Sequence, residues 1–202
     1  DFYIQGEGEI PFVELLKTCL DKNMDVSKIK KSRIAGCCFL DGAEFISGVL
    51  PERIKDLDTI PSPYLTGMLD HFLNQGFAPL IQTNRGCPFS CAYCCSGTRY
   101  YDKVNFFSIQ RVKEEIGYLS RHAKSHFVHL HDDNFGMFDR DYYICKIFKK
   151  VQNKNGWPVF IRAETGKNSP DKIIKCMRLL GDSLLFSASV QTMSRPALEK
   201  IN

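Results

Sequence analysis

Apolar residues alternate or recur along this chain in a way that assigns most of it. Phe2-Tyr3-Ile4-Gln5 predicts a short strand, running into the turn Gly6-Glu7-Gly8-Glu9 and a helix that carries Phe12, Leu15, Leu16, Cys19 and Leu20 on one face. Residues 34–40 and 44–47, joined through Asp41-Gly42, predict a β-hairpin. Pro51, Pro61 and Pro63 mark a linker, followed by a short helix around Tyr64 to Leu73 and a strand over 78–83. Strands and helices then alternate. Ser108 caps a helix with Ile109, Val112, Ile116 and Leu119 inward. A strand over 126–132 precedes a helix begun by Asp139, with Tyr143, Ile144, Ile147, Phe148 and Val151 inward. Residues 157–164 form the next strand. Ser169-Pro170-Asp171 starts a helix that carries Ile173, Ile174, Met177 and Leu180 and stops at Gly181. A strand over 184–191 and a helix from about Arg195 complete the pattern.

Repeated strand-helix units imply parallel strands with right-handed crossovers, in a barrel or an open sheet. Alternation says which way the side chains point. Val128 and Leu130 oppose His129, His131 and Asp133; Val159, Ile161 and Ala163 oppose Phe160, Arg162 and Glu164; Leu184, Phe186, Ala188 and Val190 oppose Leu185, Ser187, Ser189 and Gln191. Each strand thus has an apolar face and one that turns polar toward its C-terminal end. Closed barrels are filled by bulky branched residues, so a polar lining implies a wide or incomplete barrel around a polar ligand. The ligand belongs at the C-terminal strand ends, where Cys87, Asp133, Glu164 and Gln191 fall. His129 and His131 read as structural groups on their strand.

The strand over 78–83 leads into Asn84-Arg85-Gly86-Cys87-Pro88-Phe89-Ser90-Cys91-Ala92-Tyr93-Cys94-Cys95. Three thiolates spaced C-x-x-x-C-x-x-C can wrap one soft metal centre from a single loop, and loops of this kind hold iron-sulfur cubanes. With Cys87, Cys91 and Cys94 on three irons, the fourth iron keeps an open position for a ligand. Structural zinc prefers paired C-x-x-C units in closed sets of four, and a disulfide framework would need evenly deployed cysteines. Cys95 offers an alternative register that no other cysteine completes. Cys37, Cys38, Cys145 and Cys176 read as small buried apolar residues.

Charge changes this picture little. The net charge of +4 comes from scattered residues, and the one basic run, Lys28-Ile29-Lys30-Lys31, reads as solvated surface rather than a nucleic-acid contact. No apolar stretch has membrane-span length and no signal peptide opens the sequence. Nine cysteines without one point to the reducing cytoplasm. The sequence opens in what reads as a strand and closes in what reads as a helix, so a fragment of a longer protein is expected.

The cysteine loop, with the aromatic Tyr93 before its third cysteine, resembles the signature of the radical S-adenosylmethionine (SAM) enzymes. The resemblance implies a partial (β/α) barrel. It also implies a four-iron four-sulfur cluster whose open iron binds SAM through its amino and carboxylate groups, and reductive cleavage of SAM to start radical chemistry. The order of Gly-Glu-Gly-Glu turn, helix, hairpin and Leu57-Asp58 to Ile60-Pro61-Ser62-Pro63 linker ahead of the loop is similar to the cobalamin-binding subfamily. It implies an α/β chain with the C-terminal end of a Rossmann-like cobalamin domain plus hairpin over 1–50, linker and short helix over 51–75, and the first four radical SAM units over 76–202.

By the same resemblance Asp133 or Asn134, in the Asp-Asp-Asn-Phe form of a turn that is Gly-Gly-Glu in many members, accepts from the SAM ammonium. Asp132 alone reads equally as a turn or helix cap. Arg162 and Glu164 face the SAM carboxylate and ribose, or pair with each other. Ser189 and Gln191 contact SAM, and Tyr93 packs near the adenine. Gly6, Glu7 and Gly8 frame one edge of a cobalamin site. No catalytic residue is assigned. The expected activity is methylation or another C–H activation on an unknown small or macromolecular substrate, fed by a reductase, flavodoxin or ferredoxin. The alternatives are methylthiotransfer to tRNA or protein, against which no second cysteine triad precedes residue 60, and a non-catalytic electron carrier.

Overall fold

A computed structural model describes residues 1–166, 168–187 and 190–200. The chain forms two compact units, Asp1–Lys55 and Asp56–Asn202.

In the first unit, β1 (Phe2–Ile4), β2 (Cys37–Asp41) and β3 (Glu44–Ile46) form an antiparallel sheet in the order β1-β2-β3. Ile4 lies opposite Cys37 and Asp41 opposite Glu44. The hairpin turn falls at Gly42, whose φ of +61° suits a residue without Cβ. Helices α1 (Glu9–Asp21) and α2 (Val26–Lys31) cover the sheet's first strands, and Leu15, Ile29 and Cys37 form the core with Phe2, Ile4, Cys19 and Ile34 beside them. Cys37 and Cys38 are buried as small apolar residues, and burial raises the Cys37 thiol above its ordinary range.

β1 pairs antiparallel with the hairpin, and Gln5 N–H donates to Gly36 O (2.8 Å) beside it. One expectation changes here. On α1 only Pro11 and Leu15 are buried, while Phe12, Leu16 and Leu20 are exposed. Residues 51–55 fall within this unit. The buried Glu7 carboxylate accepts from Ile54 N–H (2.6 Å) and pairs with Arg53 (3.2 Å).

The second unit contains α3 (Asp70–Asn74), β4 (Leu80–Ile81), β5 (Asn84–Arg85), β6 (Asn105–Phe106), α4 (Ile109–His122), β7 (Phe127–Phe135), α5 (Asp139–Asn155), β8 (Phe160–Thr165), α6 (Pro170–Leu180), β9 (Leu184–Ser187) and α7 (Arg195–Leu198). Strands β4, β7, β8 and β9 form a parallel sheet in chain order, the arrangement of successive staves in an α/β barrel. Val128, Leu130, Ile161, Ala163 and Leu184 on one sheet face are buried, as are Val112, Ile116, Leu119, Ile144, Phe148 and Leu180 on α4, α5 and α6. The opposite face is graded. Phe127 lies beside Phe160 in its first row, then come Leu80, His129, Arg162 and Leu185 in register, then Glu164 beside Ser187.

Ser108 caps α4 by accepting from Arg111 N–H (3.0 Å), as its position predicts. Ser169 does not act as a cap: it sits at φ +67° with no capping bond, and Pro170 alone starts α6. Gly67 at φ +73° holds back the helix expected from Tyr64, so α3 begins at Asp70. Tyr143, Ile174 and Met177 are exposed, while Cys145 and Cys176 are buried as their apolar reading expects. Strand β4 is two residues long because Asn84 and Arg85 leave to pair with β6. Strand β7 continues three residues past its predicted end, with a register shift between Leu130 and Phe135.

Candidate cluster and cofactor site

The cysteine loop is held at its root. Buried Asp132 accepts from Thr83 N–H (2.6 Å), Asn84 N–H (3.2 Å) and the Thr83 hydroxyl. From the other side Arg140 donates to Thr83 O (3.0 Å) and Phe107 O (2.6 Å), with its guanidinium 4.6 Å from the Phe106 ring centroid. Burial pushes the Asp132 carboxyl up to about 7, against the pull of its hydrogen bonds from Thr83 and Asn84. Asp141 closes the turn after β7 by accepting from Gly136 and Phe138 N–H groups, and burial pushes its carboxyl up to about 6. Asp132 is therefore neither a turn nor a helix cap. It joins the end of β7 to the end of β4.

Within the loop, Cys87 N–H donates to Tyr101 O (2.9 Å), Cys94 N–H to Cys91 O (3.1 Å) and Gly97 N–H to Cys94 O (3.0 Å). The turn is so tight that a Cβ on Gly97 would lie 2.4 Å from Cys91 O. Asn134 Nδ2, on the same face of β7 as Asp132, is 3.1 Å from Cys87 Sγ.

The loop and the strand ends enclose a cavity of about 260 Å³. It brings together Cys87, Cys91, Cys94, Tyr93, Asp133, Asn134, Glu164 and Gln191 from the sequence-based set. Cys95 is exposed and does not line it. Arg162, two residues before Glu164, lies outside the lining, and among the described residues it has no ion pair with Glu164. Ser189 falls outside the described residues. Gly6, Glu7 and Gly8 belong to the first unit, where the Glu7 carboxylate is engaged by Arg53 and Ile54. The cavity also includes Phe89, Ser96, His131 and Thr165, which the sequence reading did not assign. His131 had a legible signal, since alternation sets it on the face of Asp133.

Among the described residues no three His, Cys, Asp or Glu side chains meet as the ligands of a single metal ion. A cubane asks for something else, because each thiolate binds a different iron and the sulfurs must line a pocket rather than converge on a point. Cys87, Cys91 and Cys94 meet that demand: soft donors from one loop border a cavity whose remaining wall is polar. The donor set fits a cubane. Beside it stand carboxylate, amide and hydroxyl groups suited to an amino acid head and a ribose.

Known proteins agree with this arrangement. The pattern of the Radical SAM superfamily matches residues 81–202. The chain is 32% identical to 2-(S-pantetheinyl)-carbapenam-3-carboxylate methyltransferase of Streptantibioticus cattleyicolor over 98% of its own length and 29% of that protein. It is 31% identical to the cobalamin-dependent radical SAM methyltransferase TokK of Streptomyces tokunonensis, over 100% of its own length and 30% of that protein. It thus spans about three tenths of the length of these curated relatives. Its fold superposes with a TM-score of 0.66 on the cobalamin-dependent SAM radical enzyme OxsB, at 15% identity over 99% of this chain and 29% of that one. The same score relates it to the radical SAM methyltransferase TsrM of Kitasatospora setae, at 13% identity over 100% of this chain and 40% of that one. Three cysteines on one loop, a parallel sheet whose polar strand ends face them, and a superfamily pattern covering both place the chain in the radical SAM superfamily.

Proposed function

We propose that this chain carries the cluster-holding and SAM-holding part of a radical SAM enzyme of the cobalamin-associated kind, which begins methylation or another C–H activation. The observation that carries the proposal is the shared cavity of Cys87, Cys91 and Cys94 with the polar ends of β7 and β8. A four-iron four-sulfur cluster on those thiolates would supply the electron for reductive cleavage of SAM. The chain's own residues do the rest. Asp133 and Asn134 offer acceptors to an ammonium, Glu164 a carboxylate to ribose hydroxyls, and Gln191 an amide to either end. Tyr93 and Phe89 contribute aromatic surface for an adenine.

Methylation is favoured because both curated relatives described above are methyltransferases. Cobalamin as a second cofactor rests on the same relatives, one of which is cobalamin-dependent by name. A reducing cytoplasm with a flavodoxin or ferredoxin as electron donor suits this chemistry. No described helix is long and apolar enough to cross a membrane.

Anaerobic reconstitution with iron and sulfide, followed by SAM and dithionite, tests the reading. Deoxyadenosine is expected, and Cys87→Ala, Cys91→Ala or Cys94→Ala should each abolish both the cluster absorption and the product. Cys95→Ala should retain both. A protein that takes up zinc in place of the cluster, or a Cys91→Ala variant that retains cluster and product, contradicts the assignment.

A further inference from the structure

Asn134 is 8% exposed, and its amide nitrogen lies 3.1 Å from the sulfur of Cys87, itself 9% exposed. The geometry is built rather than incidental. Asp132, two residues earlier on the same strand face, fixes Thr83 and Asn84 at the root of the loop, so Asn134 and Cys87 are held from a common support. A metal-bound thiolate is an acceptor with no proton to give, so only the N–H side of the amide can face it. Hydrogen bonds to cluster sulfurs are among the factors that set reduction potential, since they stabilise the more negative, reduced form.

We propose that Asn134 is a positioning residue that donates Nδ2–H to Cys87 Sγ and thereby raises the reduction potential of the cluster. This rests on the cluster reading above and gives Asn134 a duty besides receiving the SAM ammonium: one face of its amide tunes the metal centre. The assignment is testable without substrate turnover. Reconstituted wild type, Asn134→Ala and Asn134→Leu are titrated against potential by electron paramagnetic resonance, with no SAM present. Both variants should bind wild-type iron yet be harder to reduce. At the wild-type midpoint the ratio of reduced to oxidised cluster should fall roughly threefold or more. The leucine variant keeps the size of the side chain without a donor or a charge, so it carries the measurement if the alanine variant loses iron. Midpoints equal to wild type with full iron, and weakened SAM binding alone, would overturn the proposal and leave Asn134 as a SAM contact. A wild-type chain that takes up no cluster removes the functional reading itself, a different result from an unshifted potential.

Discussion

Asp132 shows how one buried carboxyl both builds the site and exposes it to pH. Burial raises it from 3.8 to about 7, so between those values the folded chain keeps a proton that the unfolded chain has released. The stability it contributes is complete below the lower value and is lost as pH rises through the upper one. Asp132→Asn keeps the shape without the charge. In denaturant titrations the stability of wild type relative to Asp132→Asn should therefore decline between about pH 4 and about pH 7. A difference that stays level across that interval would show that the three donors hold the carboxylate ionised throughout. Sequence alone did not reveal this residue's work, because its partners stand 48 and 49 positions away and nothing local distinguishes it from a turn aspartate. That Cys87, Cys91 and Cys94 line one cavity was legible because they share a single loop, where spacing is a local signal.

At the scale of elements, the same division between local and distant causes decides what could be read. The cap at Ser108, the start of α5 at Asp139 and the stop at Gly181 all follow from chemistry within a few residues. The alternation of β7 and β8 was legible because only one of their faces is covered. The shortness of β4 was not, since it depends on where Asn84 and Arg85 find β6. Helical spacing placed Tyr143, Ile174 and Met177 inward, but the actual stripes narrow to Ile144, Cys145 and Phe148 on α5 and to Cys176 and Leu180 on α6. The turn from Cys91 to Gly97 is tightly closed. Gly97→Ala forces a methyl against backbone, where no side chain can yield, at a local cost of roughly 1–3 kcal/mol. The expected outcome is a chain with near-wild-type circular dichroism that binds fewer irons after reconstitution. Full iron content in that variant would show that the turn can open without losing its ligands.

For the molecule as a whole, the first unit has a core of its own, and residues 51–55 fall within that unit. Removing Glu7 takes one partner each from the buried Arg53 side chain and Ile54 N–H, a loss of about 3 kcal/mol by the usual cost of breaking a buried pair. Hydrogen exchange should then accelerate in β1, β2 and α1 of a Glu7→Ala variant; unchanged protection there would assign the carboxylate a role other than holding this unit. The open face of the parallel sheet has a wider consequence. Its rows pass from phenyl rings at Phe127 and Phe160 to the carboxylate and hydroxyl of Glu164 and Ser187. A guest with one greasy and one polar end laid along these strands would meet its like at each end, with His129 and Arg162 between them, so its direction would be favoured before any single contact became specific.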